Sequence, residues 1–284
     1  ARGDIRDQAL LSESIRGAEA VLHLASQVAV TTSVLDPRQD FEINALGTFN
    51  LLEAVRLQAP EAAVLFASTN KVYGGLESVK VVQQGDRYAY ADFVDGIPEN
   101  FPLDFHSPYG CSKGAGDQYT IDYARIYGLR SVSLRQSCIY GRRQFGVEDQ
   151  GWVAHFVIAA SLGRPITIYG DGRQVRDLLH VSDLVRAYDL CIQEIDRLSG
   201  RALNLGGGPE NTLTIWSEFG PLLASLVGHQ VPVTYADWRP GDQKVFVANV
   251  ARAASLLGWR PQVSPAEGIK DLFEWVQASR DLFT

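Results

Sequence analysis

Short apolar runs alternate along this chain with longer stretches in which apolar residues return every three or four positions. The first run, Ala20-Val21-Leu22-His23-Leu24-Ala25, is short and ends in small residues, the pattern of a buried strand. Residues 63–67, Ala-Val-Leu-Phe-Ala, repeat it, and Ser68-Thr69-Asn70 follow at the C-terminal end. Between the two runs, residues 36–58 carry helical periodicity, with Phe41, Ala45, Phe49, Leu52 and Val55 along one side. Residues 74–105 are polar and poorly periodic, an excursion with short elements of its own. Residues 107–127 predict a helix and 131–135 a third strand. A chain that alternates strands and helices in this way builds parallel βαβ units, and so an α/β fold.

After residue 140 the pattern changes. Residues 146–150 are polar and 152–162 helical. Residues 165–169 form a short strand, and Gly170-Asp171-Gly172 a turn. A helix is predicted from His180 to about Asp196, and a strand at Leu203-Asn204-Leu205. Residues 213–227, 250–257 and 265–279 predict three more helices, and residues 14–19 the end of a short one. These pieces describe a second, smaller lobe interleaved with late strands of the sheet. Residues 1–145, with contributions from about 170–205, form the sheet domain; residues 146–284 form mainly the second lobe.

Composition narrows the function. Of 284 residues 46% are hydrophobic, enough for a substantial core, and the formal charge is −7. That charge gives no general case for nucleic acid or an anionic membrane, so an anionic ligand needs a local group of arginines. Cys111, Cys138 and Cys191 have no metal-ligand spacing and suggest no disulfide framework, which fits a reducing cytoplasm. No apolar run approaches a membrane span.

The candidate chemistry centres on Ser107-Pro108-Tyr109-Gly110-Cys111-Ser112-Lys113. Ser107 is a good N-cap and Pro108 suits the first helical position. Tyr109 and Lys113, four residues apart, then stack on one face. An ammonium beside a phenol favours the phenolate, so the pair can move a proton near neutral pH. The spacing alone is equally that of a surface pair. In parallel sheets, however, ligands gather at the carboxyl ends of the strands, and both Thr69 and the start of this helix lie on that rim.

Three motifs in order are similar to those of the extended short-chain dehydrogenase/reductase family, the sugar-nucleotide epimerases and dehydratases. They are Ser68-Thr69-Asn70-Lys71-Val72-Tyr73-Gly74, the Tyr109/Lys113 pair, and Arg176-Asp177-Leu178-Leu179-His180-Val181-Ser182-Asp183. Asp242 after Arg239-Pro240-Gly241 and Leu257-Gly258-Trp259-Arg260-Pro261 match it too, so the resemblance spans nearly the whole chain. Within the family the chain most resembles the CDP-sugar 2-epimerases of the CDP-paratose (CDP-tyvelose) type. Arg143-Gln144-Phe145-Gly146, Asp149-Gln150-Gly151-Trp152 and residues 237–243 carry that likeness.

The resemblance implies a Rossmann-like parallel sheet, a smaller α/β substrate lobe, NAD as cofactor and a nucleotide sugar as substrate. Tyr109 would be the acid/base on a sugar hydroxyl, Lys113 would lower its pKa and hold the nicotinamide ribose, and Thr69 would bind the same oxygen. Asp4 and Ile5 match the adenine contact. Leu24, Ala25, Ser26, Asn44 and Gln136 match the cofactor side, and Asn44 suits a structural hydrogen-bonding role equally well. Arg176 and Arg239 match the diphosphate contacts, since forked cations suit phosphate oxygens. Asn70, Cys138, Gln174 and Asp242 match the substrate side; Cys138 replaces an asparagine of many relatives and suits a buried, inert thiol. Asn70-Lys71 stands where dehydratases carry Asp-Glu, which argues against dehydration. His180 matches a structural position.

The resemblance begins at what would be the third strand of the sheet, and the family's Gly-x-x-Gly-x-x-Gly turn is not in the sequence. Gly206-Gly207-Gly208 lacks the strand-turn-helix context to replace it. The expectation is that about 50–60 residues of βαβ structure precede this chain in an intact protein, and with them the residue that separates NAD from NADP. Three readings remain open. The first is an NAD-dependent 2-epimerase of a CDP-hexose. The second is a 4-epimerase of a UDP- or other nucleotide sugar. The third is a binding fragment without turnover. A homodimer through two helices is what the resemblance implies for assembly.

Overall fold

The computed structural model describes residues 2–239 and 242–283. Four parallel strands form the central sheet, in the order Ala20–His23, Ala63–Thr69, Ser131–Gln136 and Arg201–Leu205. The three later strands are buried, as their unbroken apolar runs require. The first differs from expectation. It pairs on one side only, and Leu22 and Leu24 are exposed.

The helical run predicted over residues 36–58 is present but not uniform. Asp36 caps it, accepting from the Gln39 N–H at 2.9 Å. Phe41–Leu46 then forms a π-helical segment before the regular helix Gly47–Gln58. The wider turn shifts the register of the apolar side. Ala45, Leu52 and Val55 reach the core, while Phe41 is exposed.

The long helix Ser107–Tyr127 crosses the sheet beside Ala63–Thr69. Its first turn is capped by Ser107, whose Oγ accepts from the Gly110 N–H at 3.2 Å. Gly116 allows the close approach: a Cβ there would lie 2.7 Å from the Phe66 ring. The helix ends at Gly128, left-handed at φ 71°.

The second lobe has its own core, built from Trp152–Ser161, Phe219–Val227 and Pro265–Ala278. The last of these opens on a full capping box between Ser264 and Glu267. Residues 213–217 are not helical as predicted. Thr212–Thr214 is a strand, antiparallel to Val175–Asp177, which in turn pairs with Val245–Phe246. Val233–Ala236, also unpredicted, pairs with Ile166–Tyr169. The early helix is Gln8–Ser14, ahead of the predicted position, because Asp7 caps it. The excursion over residues 74–105 contains the hairpin Val81–Gln84 and Arg87–Tyr90.

Candidate active site

A cavity of about 1000 Å³ opens at the carboxyl ends of the central strands and runs into the second lobe. Thr69, Tyr109 and Lys113 stand together on its wall. Thr69 ends its strand, and its Oγ1 accepts from the Lys71 N–H at 3.2 Å. Tyr109 is on the first turn of the long helix, whose backbone N–H at Tyr109 donates to Ser33 Oγ at 3.2 Å. Lys113 lies one turn on, its ammonium 4.4 Å from the centre of the Phe66 ring.

The electrostatics differ from expectation in one respect. Burial pushes the Tyr109 phenol up, and the field of Asp40 adds to that; the Thr69 hydroxyl works the other way. Burial also lowers the Lys113 pKa to about 7, against the pull of Asp117 and Asp40. His23 is driven down to about 3 by burial and by the Lys113 charge, so it is a neutral ring, bonded to Thr48 Oγ1 at 2.8 Å.

Leu24, Ser26 and Gln136 also line the cavity. Gln136 donates to the Tyr188 hydroxyl. The cavity's apolar wall includes Val28, Val30 and Ile139. Apolar surface for a nicotinamide ring, beside Lys113, Tyr109 and Ser26 for ribose oxygens, is a donor set that fits NAD. Asp4, Ile5, Ala25 and Asn44 do not line the cavity. Asp4 is exposed and paired with Arg6 at 2.7 Å, the arrangement of a surface loop. Ile5 packs on the helix start, where a Cβ on Gly47 would lie 2.9 Å from it. Ala25 is exposed. Asn44 Oδ1 accepts from Ser26 Oγ and the Gln27 N–H, both at 2.9 Å, which fixes the segment after the first strand.

On the substrate side, Asn70, Cys138, Gln174, Arg176, Arg239 and Asp242 all face the same cavity. Arg176 is buried, 3.8 Å from Asp242. Arg239 stacks 3.8 Å over the Tyr169 ring and lies within 3.5 Å of both Glu148 and Asp149. Gln174 donates to the Tyr169 carbonyl at 2.6 Å, and its Oε1 is buried with no hydrogen-bond partner. Burial raises the Cys138 thiol, which keeps it inert. His180 is structural, buried and bonded to Ser182. Pro240 and Gly241 of the arginine motif lie outside the described residues.

Four residues beneath the site were not picked out from sequence: Ser33, Asp40, Ser112 and Asp117. Asp40 accepts from Ser112 Oγ at 2.5 Å and from Asn44 Nδ2 at 3.1 Å. Asp117 is four residues beyond Lys113 on the same helix, and that spacing was the available signal.

The sequence matches the NAD dependent epimerase/dehydratase family over residues 1–206. The chain belongs to that family. It is 42% identical to the CDP-paratose 2-epimerase of Salmonella typhi, over 97% of this chain and 83% of that protein. It is 30% identical to a putative UDP-glucose 4-epimerase of Methanocaldococcus jannaschii, over 96% and 82%. Among solved structures it resembles the Thermus thermophilus UDP-glucose 4-epimerase in complex with NAD. That match has TM-score 0.82 and 33% identity, over 98% of this chain and 84% of the other. It also resembles DesIV, the dTDP-glucose 4,6-dehydratase of Streptomyces venezuelae with NAD and TYD bound, with TM-score 0.83 and 28% identity over 99% and 80%. NAD is the family's cofactor, and the family's work on nucleotide sugars is the function of this chain at that level. No helix among the described residues is long and apolar enough to cross a membrane.

Proposed function

We propose that this chain epimerises C2 of a CDP-hexose through a transient 2-keto sugar. The observation that carries the reading is the cavity wall itself. Thr69, Tyr109 and Lys113 share it with Asn70 and Lys71, neither of them an acid, and the cavity's carboxylates, Glu148, Asp149 and Asp242, are paired with Arg239 and Arg176. Elimination of a hydroxyl needs such an acid beside the sugar; epimerisation does not. The 42% identity to a CDP-paratose 2-epimerase supports the position and the base.

In this reading Thr69 and Tyr109 hold the reacting hydroxyl, and Tyr109 accepts its proton. Lys113 supplies the positive charge that makes this transfer feasible. NAD, when bound, supplies the reversible hydride acceptor. Leu24 and Ser26 line the cofactor side, with Gln136. Arg176 and Arg239 hold the diphosphate, exchanging their carboxylate neighbours for phosphate oxygens, and Gln174 offers its unpaired Oε1 to the nucleotide. The keto sugar turns within the cavity, presents its other face and regains hydrogen there; Tyr109 then returns the proton.

The relatives that are UDP-glucose 4-epimerases favour a second reading, inversion at C4. Incubation with NAD and, separately, CDP-, UDP- and dTDP-glucose separates the two. A manno product from CDP-glucose is expected. A galacto product from UDP-glucose would replace the proposal with the second reading, and a 4-keto-6-deoxy product would refute both. The protein is expected to be a homodimer. Leu57, Tyr119, Ile126 and Tyr127 are exposed on Gly47–Gln58 and Ser107–Tyr127, and a monomer mass by light scattering would refute that assembly.

A further inference from the structure

Lys71 lies in the cavity wall, in the turn Asn70–Tyr73 directly after the strand that ends in Thr69. That turn is held at both ends. Thr69 Oγ1 accepts from the Lys71 N–H, and the Gly74 carbonyl accepts from Gln243 Nε2 at 2.6 Å. Val72 and Tyr73 in the same turn are buried. The side chain of Lys71 thus leaves a rigid platform.

The other cations of the cavity have partners. Arg176 faces Asp242, Arg239 faces Glu148 and Asp149, and Lys113 covers the Phe66 ring. The Lys71 ammonium has no hydrogen bond or ion pair among the described residues. Its three donors at the wall of the cavity have no acceptor among the described residues and are available to acceptors that a ligand brings. Burial and the Arg176 charge press the ammonium toward its neutral form, and Asp242 opposes them. A strained cation of this kind marks a functional site.

Its place selects the ligand group. Lys71 is two residues from Thr69, which holds the reacting hydroxyl, and within the field of Arg176, which holds the diphosphate. The hexose is what joins those two points in a nucleotide sugar. We infer that Lys71 is a specificity-determining residue whose ammonium donates to the hexose hydroxyls of the substrate. The assignment rests on the nucleotide-sugar reading above. A lysine suits this task better than an arginine. Its donors rotate on a flexible stem, so it can follow a sugar that must present both faces, where a rigid guanidinium fork would fix one pose.

The test is calorimetry with saturating NAD on the wild-type chain and on Lys71→Met. The ligands are the CDP-, UDP- or dTDP-glucose that the wild type binds most tightly and the matching nucleoside diphosphate. Loss of a charged hydrogen bond predicts at least about tenfold weaker binding of the sugar nucleotide by the variant. The nucleoside diphosphate should change less than twofold. Equal weakening of both ligands would overturn the assignment and make Lys71 part of the diphosphate cradle; unchanged binding of both would overturn it as well. If Lys71→Met does not fold by circular dichroism, Lys71→Gln takes its place under the same criteria. Lys71→Arg should keep most of the affinity but lose at least about tenfold in kcat, and wild-type kcat would overturn the flexible-donor argument. Failure of the wild type to bind any of the three sugar nucleotides would refute the proposed function itself, and the Lys71 assignment with it.

Discussion

Arg135–Asp117 beneath this site and Arg176–Asp242 within it are both arginine–aspartate pairs, and they are built differently. Arg135 and Asp117 meet through two bonds, Nε to Oδ2 at 3.0 Å and Nη2 to Oδ1 at 2.9 Å. Ser68 and Ser133 also donate to Asp117, at 2.8 and 2.6 Å, and Arg135 Nη1 donates to the Tyr73 hydroxyl and the Glu99 carbonyl. Both residues are buried, and the pairing holds Asp117 low despite its burial. Arg176 and Asp242 are 3.8 Å apart, and among the described residues Arg176 hydrogen-bonds otherwise only to the carbonyl of its neighbour Val175. The first pair is saturated and locks the long helix to the sheet. The second is loose and lies in a cavity, where the proposed function has it take an incoming phosphate. Charge type is shared; the burial of the aspartate and the degree of saturation separate the tight pair from the loose one.

The largest effect tests the chemistry that the saturated pair supports. Tyr109→Phe should lower turnover by at least about 10³-fold, the upper range for acid/base catalysis, while nucleotide binding stays within twofold. Near-normal turnover would remove Tyr109 from its role. Next, Asp117→Ala should cost about 3–5 kcal/mol in chemical denaturation, because it leaves the Arg135 charge buried and unpaired. Asp242→Ala should leave stability within about 0.5 kcal/mol and change substrate KM instead. Equal stability losses would erase the distinction drawn between the pairs.

The pH dependence sharpens it further. The folded chain holds Lys113 at about 7, below its unfolded value of 10.5, so the unfolded state binds that proton more tightly. This group therefore makes stability rise as pH goes from about 7 toward 10.5. For Asp117, lowered in the folded state, stabilisation is full above the ordinary carboxylate range and is lost as pH falls through it. Lys113→Met should flatten the alkaline rise seen in thermal melts across pH and leave the acid fall in place. An unchanged alkaline slope would contradict the burial of Lys113. The smallest effect is at Asp4→Ala, where no measurable change in Tm or NAD affinity is expected from an exposed pair with Arg6. A clear loss of NAD affinity would return Asp4 to the cofactor site.

Much of the central sheet and half of the site were legible in the sequence, for local reasons. Apolar runs mark strands buried on both faces, and the four-residue spacing of Tyr109 and Lys113 places them on one helix face. Thr69 could be set beside them because parallel strands end on one rim. What escaped depends on partners far away in the chain. Asp117 looks like a polar residue on a helix until Arg135, Ser68 and Ser133 close around it. Asp40 takes a hydrogen bond from Asn44 nearby, but also one from Ser112, which is 72 positions away. Residues 213–217 lead into the helix Phe219–Val227, but their β-branched Thr214 and Ile215 suit a strand, and pairing with Val175–Asp177 draws Thr212–Thr214 into one. The π-helical turn at Phe41–Leu46 rotates Phe41 out of a stripe that simple periodicity had placed inside. Lowering of the Tyr109 pKa by Lys113 was inferred from spacing; burial, which spacing does not show, acts on both groups at once, pushing the phenol up and the ammonium down.

The central claim is epimerisation through a transient ketone at C2. Proton NMR of CDP-glucose turning over with NAD in heavy water tests it most directly. The account predicts a manno product that carries protium at C2, since the hydrogen removed from that carbon returns to it. Deuterium at C2 would mean proton exchange with solvent and would contradict the account.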